Sequence, residues 1–175
     1  MSPDGFAFTV LGIIDHGSRR LQCLKSLPRK CPFTLLANVF LAIAKYGLPS
    51  AIRTDNESMF TSQLWGFTLK KLSIIHRRGP PCQPWRNGRI ERLFGTLKPI
   101  LRKVKPTTTL ALRKALVEFS HFYNQIRPQQ SLGGLTPVEA WQGKTLADVQ
   151  EIHSSAEGQW VYAMDGLMVG YGLRC

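Results

Sequence analysis

Residues 6–14, FAFTVLGII, are apolar almost throughout. A run of that length and composition suits a strand buried on both faces, so the rest of the chain must supply cover on two sides of it. HGSRR then reads as a turn, and RLQCLKSL alternates polar with apolar residues as a half-exposed partner strand does. Together these segments predict a β-hairpin. With 175 residues, the chain is long enough for one well-buried domain with a short appendage, but not for two full domains.

From Phe33 to Tyr46 the residues Phe33, Leu36, Phe40 and Ile43 recur at helical spacing, and Gly47 with Pro49 ends the helix. A short strand over 50–54 then delivers Asp55 at its end. Thr61 or Ser62 can cap a helix reaching Leu72, and SIIHR suits a further strand. RGPPCQPWRNG is a loop on its proline and glycine content. A long helix over 87–104 carries Ile90, Phe94, Leu97 and Leu101 in one stripe. A second, over 109–126, carries Leu112, Leu116, Phe119, Tyr123 and Ile126. Thr136-Pro137-Val138-Glu139 is a capping box with proline at the first helical position. In the tail, Asp165-Gly166 between two apolar segments reads as a tight hairpin turn. A hairpin followed by alternating helices and strands, then helices, is an α/β order with a largely helical continuation.

Lys and Arg number 23 against 11 Asp and Glu, a formal charge of +12, in a chain that is 43% hydrophobic. This describes a folded protein with a polyanionic partner, nucleic acid first, although ribosomal and membrane-surface proteins share such an excess. Cys23, Cys31, Cys82 and Cys175 form no CxxC pair and have no histidine at metal-ligand spacing, so they read as idle thiols in a reducing compartment. No basic segment leads into an apolar leader and no apolar run approaches a membrane span, so a cytoplasmic protein without a membrane partner is expected.

In so basic a chain, a strand ending on the acid pair of IRTDNESMF is conspicuous. A lone strand-end Asp55 is most simply a turn cap. Glu91, however, falls in the first turn of the long helix, and Glu91, Gly95, Lys98 and Arg102 share one stripe of it. Glycine there leaves room for a large ligand to approach. The plainer alternative is a solvated acid/base stripe on an ordinary helix.

Asp55 and Glu91 are separated by the 35 residues 56–90. With that spacing, GLPSAIRTDNESMFTS, PCQPWRNGRIERLFGTLK and YNQIRPQQSLGGLTPVEAW, in this order, resemble blocks of the DDE integrase and transposase superfamily, in particular the integrase catalytic core of bacterial insertion-sequence transposases. The resemblance implies an RNase H-like fold, a mixed five-stranded sheet flanked by helices. It would place the catalytic core with its helical end in residues 1–141 and an extension with a β-hairpin in 142–175. It further implies two Mg²⁺ (or Mn²⁺) ions held by Asp55 and Glu91 as catalytic carboxylates, DNA 3′-end cleavage and strand transfer, and DNA contacts from Asn56, Arg86, Asn87, Arg89, Lys98 and Arg102. Element ends and target DNA would be the partners, in a homo-oligomer associated with the bacterial nucleoid.

Two departures accompany the resemblance. The superfamily uses three acids, the first on a strand preceding VLGIIDHGSRR, and neither Asp4 nor Asp15 matches that position. The first strand, central in the family's sheet, therefore reads as missing, and the chain as N-terminally truncated. Three explanations stay open: a natural protein extending upstream, a decayed fragment, or Asp4 or Asp15 substituting as third ligand. The tail hairpin is one conceivable filler of the vacant strand position. With two acids the polypeptide is expected to have little or no strand-transfer activity. A catalytically dead DNA-binding or assembly remnant is the rival reading. A housekeeping RNase H-like nuclease would have no reason to carry RPQQSLGGLTP. Gln129 replaces the histidine frequent in the family, and only a local change is expected from it.

Overall fold

The computed structural model describes residues 8–79, 88–149, 158–163 and 168–173, the last two segments as backbone. Strand β1, Thr9–Ile14, pairs antiparallel with β2, Leu21–Leu27, and the register slips between Ile13 and Ile14. Because side chains alternate along a strand, β1 serves two layers. Val10 and Ile14 pack with Leu21, Leu24, Leu93, Leu97, Leu112, Leu116 and Phe119, whereas Leu11 and Ile13 pack with Leu35, Leu36, Val39, Trp65, Leu69 and Ile74. The turn between the strands is tied by Asp15, whose Oδ2 accepts from the amides of Gly17 and Ser18 and from the Ser18 hydroxyl.

Helix α1, Pro32–Tyr46, stops at Gly47, where φ is +91° and the amide reaches back to the Ile43 carbonyl. Its buried side chains are Leu35, Leu36 and Val39. The predicted stripe is therefore corrected: Phe33 is 74% exposed and Phe40 45%. Strand β3, Ala51–Thr54, is followed by the short helix α2, Ser58–Thr61, which the sequence did not announce. Helix α3, Gln63–Lys71, is capped by Ser62, whose hydroxyl accepts from the Trp65 amide. Strand β4, Ile75–Arg78, runs parallel to β3.

Helix α4, Gly88–Val104, buries Leu93 and Leu97, with Ile90, Phe94 and Leu101 partly covered. Helix α5, Thr109–His121, passes into a π-helical turn, Phe122–Ile126, and the whole predicted stripe from Leu112 to Ile126 is buried. The wider turn sets Asn124 beside β2, where its Oδ1 accepts from the Leu21 amide at 2.8 Å and its Nδ2 donates to the Leu21 carbonyl at 2.9 Å. Helix α6, Pro137–Trp141, begins with the expected capping box between Thr136 and Glu139. Arg20 lies over both Tyr46 and Trp141, joining the start of β2 to the ends of α1 and α6.

The strands form three two-stranded sheets among the described residues, not one five-stranded sheet. β1–β2 and β3–β4 lie on either side of a cavity of about 550 Å³ whose lining includes Leu11, Ile13, Ile52 and Thr54. No described strand stands between them, which is why the sheet is divided. Strands β5, Gly158–Ala163, and β6, Met168–Leu173, pair only with each other and do not fill that position; their expected Asp165-Gly166 turn lies outside the described residues.

Gly12 is where α4 meets β1 most closely. A Cβ there would come within 3.2 Å of both Ile90 and Phe94. Gly12→Val is therefore expected to cost about 1–3 kcal/mol of overpacking, read as a lower urea midpoint, with Gly12→Ala milder.

Candidate functional site

Strand β3 is only four residues long, and its exit is fixed by polar groups. The Thr54 side chain is buried, and its hydroxyl bonds the Asp55 carbonyl and His76 Nε2, each at 2.9 Å. The Trp65 indole N–H donates to the same His76 nitrogen at 3.3 Å. Because the Thr54 hydroxyl and the indole meet one ring nitrogen, the tautomer decides the bonding: Nε2–H donates to Thr54 Oγ1, or bare Nε2 accepts from the indole. Burial, then the charge of Arg78, lowers the His76 pKa from its ordinary value. Beyond this support, Asp55 is exposed. Its Oδ1 accepts from the Glu57 amide at 3.1 Å, while Oδ2 makes no hydrogen bond among the described residues. Asn56 Nδ2 donates to the Gly79 carbonyl at 2.8 Å, tying the ends of the parallel pair together.

The second carboxylate stands on another support. Glu91 is exposed in the first turn of α4, and Gly95, Lys98 and Arg102 are exposed with it. A Cβ at Gly95 would meet nothing within 4 Å, so the stripe stays open at its middle. The same first turn is anchored to β1 from its other side by Ile90 against Gly12 and by Arg89, whose guanidinium donates to the His16 carbonyl. Arg86 and Asn87 lie outside the described residues.

Asp55 and Glu91 thus offer oxygen donors from a strand end and a helix start. Mg²⁺ is often held by one or two carboxylates together with substrate phosphates and water, so the donor types fit. A complete protein cage is not assembled: among the described residues no group of three or more His, Cys, Asp or Glu could hold a metal ion. Asp15 does not complete it, being engaged in its own turn, and Asp4 lies outside the described residues.

Residues 72–137, which contain Glu91 and the whole of α4 and α5, match the family model described as integrase core domain. Over this segment the chain is similar to the integrase core. It is 33% identical over 94 residues to an uncharacterised 39.2 kDa protein of insertion element IS476 from Xanthomonas euvesicatoria, a match covering 53% of this chain and 27% of that relative. The chain thus spans about a quarter of that relative's length. Among solved structures, the catalytic core domain of BIV integrase aligns over 85% of this chain and 90% of its own, with a TM-score of 0.62 at 21% identity. The HTLV-2 integrase catalytic core domain, solved in complex with magnesium in a dimeric form, aligns over 78% and 84% with a TM-score of 0.58 at 17% identity. The fold is therefore that of integrase catalytic cores, the RNase H-like architecture. No helix among the described residues of this chain is long and apolar enough to cross a membrane.

The integrase-type scaffold also holds groups that sequence reading passed over. The Thr54–Trp65–His76 network carries no short-range signature, because its members come from β3, α3 and β4. Neutral His76 gives this network a pH dependence. Since its folded pKa is depressed below 6.5, its contribution is intact above that value and is lost as pH falls through the folded pKa. Urea unfolding at about pH 7.5 and about pH 5.5 should show lower stability at the acid value, and His76→Gln should flatten the difference.

Proposed function

We propose that this chain acts in DNA transposition or integration, with Asp55 and Glu91 as two of the carboxylates of a metal-dependent phosphoryl-transfer site. The observation that carries this reading is the placement of Glu91: exposed in the first turn of α4, inside the segment matching the integrase core, at the head of a stripe containing Lys98 and Arg102. Divalent ions at such carboxylates activate a hydroxyl or water and stabilise the leaving oxygen of a phosphodiester. The protein's own part is positional. β3 and its Thr54–His76 support hold Asp55 in place, α4 presents Glu91, and Lys98 and Arg102 face the phosphate backbone on the same helix. Asn56, Arg86, Asn87 and Arg89 complete the proposed DNA contacts. Residues 1–141 form the catalytic core in this reading and 142–175 an appended hairpin, and copies of the chain pair two DNA ends as a homo-oligomer.

A second reading, a DNA-binding or assembly module without catalysis, is favoured by one fact: no group of three metal-ligating residues forms among the described residues. Two carboxylates alone hold divalent ions weakly, so this polypeptide is expected to join DNA ends little or not at all in Mg²⁺. Appreciable joining would show that the site is complete in this chain. Asp55→Asn separates the readings. Titration calorimetry should show loss of Mg²⁺ or Mn²⁺ binding in Asp55→Asn and in Glu91→Gln, while duplex affinity measured without metal stays unchanged or rises slightly. Metal binding that survives both substitutions would remove these residues from the site.

A further inference from the structure

Four segments distant in sequence converge on a cavity of about 470 Å³, and of its lining residues the function proposed above uses only Arg89. Its lining includes His16 and Arg19 from the β1–β2 turn, Arg53 from β3, Arg89 and Arg92 from α4, and Gln129 beyond the π-helical turn. No carboxylate is among the described lining residues. The guanidinium groups of Arg19, Arg89 and Arg92 around one hollow repel one another, and an anion between them relieves that repulsion.

The local structure holds the cations there. Arg19 and Arg89 both donate to the carbonyl of His16, bringing two guanidinium groups to one backbone oxygen. Arg19 itself sits at φ +63°, a left-handed conformation that costs a non-glycine residue energy. Among the described residues Arg19, Arg89 and Arg92 form no ion pair, the two observed being Lys30–Glu57 and Lys114–Glu118. The neighbouring acid, Asp15, is occupied by Gly17 and Ser18. Burial and then the charges of Arg53 and Arg19 lower the His16 pKa, as a positive hollow requires.

The remaining wall is also rich in donors. Gln129 Nε2 is buried without a hydrogen-bond partner, and a buried amide N–H left unpaired is unfavourable unless a ligand accepts from it. Tyr123 is buried, which pushes its phenol pKa up and keeps the O–H as a donor, and Ser131 adds a second hydroxyl. Guanidinium forks, an orphan amide and hydroxyls together match a tetrahedral anion with several acceptor oxygens.

We propose that this hollow is a phosphate-binding site, occupied by a phosphodiester of the nucleic-acid backbone. The phosphate chemistry stands on the hollow alone, whereas its assignment to DNA rests on the function proposed above. The site is distinct from the exposed Glu91–Lys98–Arg102 stripe. It would grip the backbone through the turn, β3 and the first turns of α4, adding His16, Arg19, Arg53, Arg92 and Gln129 to Arg89, the one lining residue already among the DNA contacts proposed above.

The test uses the full chain, with pyrophosphate followed by calorimetry and a labelled duplex followed by anisotropy at several salt concentrations. Arg19→Ala/Arg92→Ala should abolish pyrophosphate binding and lower the slope of log K against log[salt] for the duplex by about 1–2. Arg113→Ala/Lys103→Ala, which removes equal charge from exposed helix positions, should preserve pyrophosphate binding. Gln129→Glu keeps the side-chain shape and places a carboxylate among the arginines, so it should block both ligands while raising the unfolding midpoint. Pyrophosphate binding lost in the pocket variants with an unchanged duplex slope would keep the phosphate site but overturn its assignment to DNA. No pyrophosphate binding by the wild type, or equal losses in the control pair, would overturn the site itself. Neither result bears on metal binding at Asp55, so failure here and failure of the catalytic reading are separable.

Discussion

β1 is a wall shared by two hydrophobic cores, and the rest of the molecule is arranged around that sharing. Val10 and Ile14 belong to the core built from α4 and α5, Leu11 and Ile13 to the core built from α1 and α3. Full burial of an aliphatic side chain of this size is worth about 1.5–3 kcal/mol, and the partly buried residues of β1 contribute a share of that to each layer. Gly12 lets α4 come close enough to profit, since Ile90 and Phe94 occupy the volume a side chain would need. The first turn of α4, and Glu91 with it, is therefore placed by β1 as much as by its own helix.

The two kinds of charge are treated differently. Asp55 and Glu91 face water on exposed ends of their elements, where a strongly hydrated hard cation can keep part of its water. The arginines around His16 line a half-open hollow, where guanidinium can make bidentate contacts to an anion.

Much of this was legible in the sequence where one face of an element was clearly marked. The α5 stripe from Leu112 to Ile126 is buried throughout, the Thr136–Glu139 box caps α6, and the β1–β2 hairpin forms where the apolar run and its alternating partner indicated. The stripe of Glu91, Gly95, Lys98 and Arg102 is exposed as its spacing required. The face of α1 was not legible, because PFTLLANVFLAIA is apolar around most of the helix, and tertiary contacts chose Leu35, Leu36 and Val39 over Phe33 and Phe40. The divided sheet depends on which strands become neighbours, and the arginine hollow on residues separated by more than a hundred positions. Neither leaves a local pattern.

The π-helical turn of α5 has a consequence for the outer side of β2. Antiparallel hairpins expose a row of amides and carbonyls that can recruit a strand from another molecule. At Leu21 that possibility is closed, because the Asn124 side chain occupies both the N–H and the C=O with the same donor–acceptor pairing a neighbouring backbone would offer. A carboxamide on a helix thus stands in for a strand, and the hairpin begins with its edge already plugged.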